Sequence, residues 1–139
     1  MSEQMKQLRG EEYRDRLRFQ VEFAHGALKS LVLANGGGIV ALLTFLGNSN
    51  ARFDALWMWA AFGCFIAGLV FTLSAYIGAH FSQHFFMEAT YHELTDAGEA
   101  DIKDAMRRGN IGLSWAIGSA IVGLVSFGAG AIFGLVSLT

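Results

Sequence analysis

Proline is absent from this 139-residue chain, and cysteine occurs once, as Cys64. Without proline the commonest cause of a helix kink is missing, so long straight helices are favoured. A single cysteine excludes an intrachain disulfide. Charge is also scarce in the apolar parts of the sequence: Lys29 is the one charged residue within three long apolar stretches.

Apolar residues make up 53% of the chain, which is high for a water-soluble domain. Each of the three apolar stretches has the ~20 residues that a membrane-spanning helix needs. We therefore predict an all-α integral membrane protein, a single membrane domain over residues 1–139 with three transmembrane helices, in contact with the lipid bilayer. The predicted segments are a cytoplasmic amphipathic helix (1–26), the first span (28–47), the second span (55–81), a cytoplasmic helical extension and connector (82–109), and the third span (111–138).

Helices 1 and 2 are expected to extend into the cytoplasm as an antiparallel hairpin. Within the connector, a short helix over about 99–108 is expected to lead through Gly109 and Asn110 to the third span. Asp54 and Asp96 stand where helices should begin, and aspartate is a preferred N-cap residue, so both are predicted N-caps.

The basic residues predict the orientation of the spans. Nine of the ten lysines and arginines lie on one side, and Arg52 alone lies in the short 48–54 loop. By the positive-inside rule the N-terminus is expected in the cytoplasm and the C-terminus in the periplasm, as in a bacterial inner-membrane protein. The net charge of −2, with acids and bases interleaved, gives no argument for nucleic-acid binding.

Small residues line one face of the third apolar stretch, within roughly 80° on a helical wheel. Membrane helices use such faces to approach closely. We predict that they mediate helix packing or oligomer formation. The set is Gly112, Ala116, Ser119, Gly123, Ser126, Gly130 and Gly134. A homo-oligomer is favoured over a compact monomer, because three helices bury too little surface to occupy every small face. Association with other membrane subunits is the alternative.

Polar residues recur every four positions where the second apolar stretch ends, among them His80 and His84. A hairpin folded about residue 51 would place residue i level with roughly residue 102 − i. Glu22 and His25 would then lie close to these two histidines. Such a cluster of Glu22, His25, His80 and His84 would suit zinc, iron or haem. Ordinary polar contacts at the inner boundary of the membrane are the favoured interpretation, and the metal or haem site and a pH-sensitive gate are the alternatives.

No serine stands in the sequence context of a catalytic nucleophile, so we predict no catalytic residue and no enzyme activity. The favoured hypothesis is a homo-oligomeric inner-membrane protein of channel or pore type. One alternative is an accessory subunit of a larger membrane complex, of which an electron-transfer complex is one example. The other is a metal- or haem-binding membrane protein that uses the histidine cluster.

Overall fold

The computed structural model describes residues 3–47, 52–95 and 98–138, with the side chains from residue 22 onward except those of residues 23 and 94. This part of the chain forms three helices: α1 (Glu3–Leu46), α2 (Ala55–Leu94) and α3 (Glu99–Val136). At ~1.5 Å per residue they are about 66, 60 and 57 Å long, roughly twice the ~30 Å hydrocarbon core of a bilayer. Each contains a window apolar enough to cross a membrane. The prediction of an all-helical chain with three such helices is confirmed.

The helix ends follow from local sequence. The carboxylate of Asp54 accepts hydrogen bonds from the backbone N–H groups of Leu56 (2.9 Å) and Trp57 (3.3 Å), so Asp54 is the N-cap of α2, as predicted. Asp96 lies outside the described residues, and Gly98 stands at the N-cap of α3 without a side-chain cap. The amphipathic character predicted for residues 1–26 depends on side chains that are also outside the described residues.

α3 is continuous where the sequence suggested a boundary. The helix passes through Gly109 and Asn110 without interruption, so the connector and the third span share one helix. Gly109 is buried against the ring of Phe86, which a Cβ on Gly109 would approach to 2.7 Å. This packing offsets the low helix propensity of glycine, which is about 1 kcal/mol below alanine. At Gly109 and Asn110 the side chains of α3 change from mostly polar to mostly apolar, while the backbone stays helical.

α2 and α3 form an antiparallel pair along their whole length. At one end the N–H of Asp54 donates to the carbonyl of Ser137 (2.8 Å), and at the other Phe86 packs on Gly109. Their buried residues recur at steps of three, four or seven positions, which is the heptad repeat of left-handed helix pairs. In α2 these include Met58, Ala61, Phe65, Gly68, Thr72, Ala75, Gly78, Ser82 and Ala89; in α3 they include Ala105, Gly109, Ala116, Ser119, Gly123 and Gly130.

α1 packs against this pair less extensively than α2 and α3 pack against each other. Its register against α2 is set by three contacts, each within about one residue of the expected hairpin. They are Asn35 with Gly68, Gly38 with Phe65, and the carbonyl of His25 with the hydroxyl of Tyr76. At these three contacts the register of α1 against α2 therefore agrees with the one derived from the loop position.

Candidate functional site

Three of the four predicted metal ligands, His25, His80 and His84, each lie beside an aromatic ring. The hydroxyl of Tyr76 donates to the carbonyl of His25 at 3.3 Å, and their rings lie 6.2 Å apart, so α1 contacts α2 one turn before His80. The rings of His80 and His84 lie next to Phe81 and Phe85 of their own helix, and both histidines are exposed.

Glu22 and His25 are exposed as well. Among the described residues, which include all four predicted ligands, no three histidine, cysteine, aspartate or glutamate side chains form a group that could hold a metal ion. The geometry supports contacts of the histidines with neighbouring aromatic rings. The zinc, iron or haem site stays a prediction, and metal analysis and a visible spectrum of the purified protein test it.

The small face predicted on α3 lies against α2. Gly112 meets the backbone of Gly78 and Ser82, and a Cβ at Gly112 would stand 3.1 Å from the Gly78 carbonyl oxygen. Further along α3, Gly123 meets Thr72 and Gly130 meets Phe65. Ala116 and Ser119 are buried and Ser126 is half-buried. Measured from an ideal Cβ, Gly134 lies 3.6 Å from Leu42 of α1 and 4.0 Å from Ala61 of α2. Within one chain, this face is therefore occupied.

A buried polar group lies where α1 crosses α2. Asn35 is fully buried, its side-chain N–H donates to the carbonyl of Leu31 (3.0 Å), and its Oδ1 has no hydrogen-bond partner in the described part of the chain. A Cβ on Gly68 would collide with this oxygen. On the next turn of α2, Thr72 is buried and donates to the carbonyl of Gly68 (2.7 Å). The sequence singled out Asn35 by its place in an apolar stretch, but not its contact with Gly68.

The side of α1 that faces away from α2 is exposed. Gly26, Ser30, Gly37 and Ala41 are exposed and lie within about 60° on a helical wheel. We call these four residues the α1 open face. A Cβ added at Gly26 or Gly37 would meet nothing within 4 Å in the described structure. The residues of α1 that turn toward α2, including Leu28 and Asn35, lie on the other side of the helix.

Charged side chains gather near the turn between α2 and α3. Glu88 and His92 of α2, and Asp101, Asp104 and Arg108 of α3, surround a cavity of about 200 Å³. Arg108 pairs with Asp104 at 2.6 Å, and its guanidinium lies 5.8 Å from the centre of the Phe85 ring. These contacts join the ends of the helices that reach beyond the apolar windows.

No known protein family, curated protein sequence or solved structure matches this chain.

Proposed function

We propose that this chain is a homo-oligomeric, three-span protein of a bacterial inner membrane and that its copies associate through the α1 open face. The observation that carries the proposal is the α1 open face with Gly37 at its centre, an exposed glycine with nothing within 4 Å of its Cβ position. Gly63 of α2 is equally uncontacted, but it stands among large exposed side chains, those of Trp59, Ile66 and Val70. On α1 the small residues Gly26, Ser30 and Ala41 share the side of Gly37, with Leu33 and Val40 exposed beside them.

Gly37 and Gly38 are neighbours in α1 but have different surroundings. Each glycine inside a helix costs about 1 kcal/mol relative to alanine. Gly38 has a compensating contact, because the Phe65 ring occupies the space beside it. Gly37 has no such contact in the described structure. A second helix at Gly37 would supply one, since small residues let helices approach closely where lipid gives no hydrophobic drive.

The proposed oligomer interface lies on α1 and not on the small face of α3. The small face of α3 packs on α2, so it is not available to a second copy without separating the two helices. α1 is the least buried of the three candidate spans.

The proposed orientation of the three spans is inferred from the distribution of basic residues along the chain. The asymmetric distribution of basic residues favours a cytoplasmic N-terminus. In that arrangement the α2–α3 turn and the N-terminal part of α1 extend about 30 Å beyond the hydrocarbon core on the cytoplasmic side.

Oligomeric state tests the proposal with a matched pair of variants. Gly37→Leu places a bulky side chain on the α1 open face, whereas Gly63→Leu adds the same side chain at an exposed, uncontacted position of α2. In native mass spectrometry from mild detergent, the wild type and Gly63→Leu should form the same oligomer, and Gly37→Leu should shift toward the monomer. A monomeric wild type contradicts the proposal. Stoichiometric foreign subunits, purified from native membranes with the tagged chain, would favour the accessory-subunit alternative.

If the oligomer is a channel, the α1 helices of its copies surround a central axis. Ser30 lies on the α1 open face and Thr44 is exposed in line with it, and their hydroxyls donate to the carbonyls of Gly26 (3.0 Å) and Val40 (2.8 Å). These hydroxyls would give such an axis a weakly polar wall. Reconstituted vesicles should then show an ion flux that Ser30→Leu abolishes. If the oligomer forms but the vesicles show no ion flux, the channel hypothesis is wrong and only the assembly is supported.

A further inference from the structure

A groove of about 710 Å³ runs along one face of α3 where the helix changes from charged to apolar. Lys103 and Arg107 lie at one end of the groove, Asn110 in the middle, and Ile111 and Trp115 at the other end. Twelve residues of helix separate the two ends, which is about 18 Å along the axis. The groove is therefore charged at one end, polar in the middle and apolar at the other end.

The charged end of the groove is positive. None of the described residues that line it carries a carboxylate. Asp104 makes its short contact with Arg108 (2.6 Å), while its distance to Arg107 is 3.5 Å. Lys103 pairs with Glu99 at 2.7 Å, but both side chains are highly exposed and such pairs are weak. Arg107 likewise donates a long hydrogen bond to Asp104 (3.5 Å), and its side chain is 76% exposed. An anion at Lys103 and Arg107 would therefore compete only with weak, exposed pairs.

At the apolar end of the groove, the ring of Trp115 is held in place by a hydrogen bond. The indole N–H of Trp115 donates to the hydroxyl of Ser74 in α2 at 3.0 Å, which holds the ring in one orientation. Trp115 is still 60% exposed and Ile111 is 62% exposed, so a large apolar surface remains uncovered by the described residues.

We propose that this groove binds one anionic phospholipid, with its phosphate at Lys103 and Arg107 and an acyl chain along Ile111 and Trp115. The inference rests on the proposed membrane insertion and cytoplasmic orientation of this helix end. Basic pockets on the cytoplasmic side of membrane helices attract anionic headgroups. The apolar half of the groove selects a lipid over a soluble phosphate, which would leave Ile111 and Trp115 uncovered.

Lipid competition tests this site on the full-length protein. The detergent-purified chain is mixed with equimolar phosphatidylglycerol and phosphatidylethanolamine, and native mass spectrometry reports which lipid stays bound. The wild type should retain mainly phosphatidylglycerol. Arg107→Gln should lower that preference about fivefold, the effect of one basic residue near a headgroup. Lys29→Gln removes one positive charge from an exposed position of α1 outside the groove and should leave the preference unchanged.

Equal retention of the two lipids by the wild type overturns the site, and so does an equal loss in both variants, which would indicate general charge attraction. Flotation with vesicles of the same two lipids separates the two proposals. A chain that floats but shows no lipid preference loses only the groove site. A chain that does not float loses membrane insertion, and this site with it.

Discussion

The ring of Phe65 in α2 lies against the bare backbone of Gly38 in α1, where an added Cβ would stand 2.5 Å from the ring. The same ring meets Gly130 of α3, at 3.1 Å from an ideal Cβ, and lies 5.9 Å from the ring of Phe127. Phe65 is almost completely buried. One side chain thus contacts all three helices, and glycine at two of its contact positions makes room for it.

Gly38→Ala should therefore destabilise the bundle. The added methyl forces the Phe65 ring to move, and overpacking of this kind costs about 1–3 kcal/mol. Gly36→Ala is the matched control, because a Cβ there meets nothing within 4 Å and alanine has the better helix propensity. Denaturant unfolding in micelles, followed by circular dichroism, measures both. Equal stability of the two variants would show that the Phe65 ring moves without cost.

The closest approach of α2 and α3 predicts a second pair of variants. At Gly112 a Cβ would stand 3.1 Å from backbone atoms of Gly78 and Ser82, which cannot rotate away. Gly112→Val should separate the helices and lower the free energy of unfolding by about 2 kcal/mol or more. Gly118→Val, on the exposed side of the same helix, should change it little. The same unfolding assay compares them, and a similar loss in both would mean that the close approach at Gly112 is not the cause.

Much of this architecture could be predicted because it depends on local patterns. The length of each apolar stretch indicated the helices, and the position of the first loop gave the register of α1 against α2. Asp54 was recognisable as an N-cap from its place before an apolar run. Each of these features depends on a short stretch of sequence or on the length of a connection.

The partners of each face could not be predicted in the same way. A wheel of small residues showed that α3 would be approached closely, but not that α2 supplies the complementary surface. Likewise, a spacing of four residues placed His80 and His84 on one side of α2, yet spacing does not show which side faces α1. Long-range contacts such as Trp115 with Ser74 depend on the relative rotation of two helices, which no single stretch encodes.

Replacing Asn35 with leucine should stabilise the bundle. Its buried Oδ1 lacks a hydrogen-bond partner in the described part of the chain, and such an acceptor costs about 1–3 kcal/mol. Leucine has a similar size and branches at the same carbon, so the free energy of unfolding should rise by about 1 kcal/mol. Thr72→Val removes a buried hydroxyl that is hydrogen-bonded and should lower it. A loss in Asn35→Leu as large as in Thr72→Val would mean that Oδ1 has a partner.

The hydrogen bond from the Trp115 indole to the Ser74 hydroxyl, at 3.0 Å, is a long-range side-chain contact between α2 and α3. A double-mutant cycle with Ser74→Ala and Trp115→Phe isolates it, because both replacements keep an apolar group of related shape. Hydrogen bonds between membrane helices average about 0.6 kcal/mol, so we expect a coupling energy of that size in the unfolding assay. A matched cycle of Thr90→Ala with Trp115→Phe should show no coupling, since the Thr90 hydroxyl donates within its own helix to the carbonyl of Phe86. Strictly additive effects of Ser74→Ala and Trp115→Phe would show that this bond contributes nothing to stability, and that the Trp115 ring is held by packing on Gly78 alone.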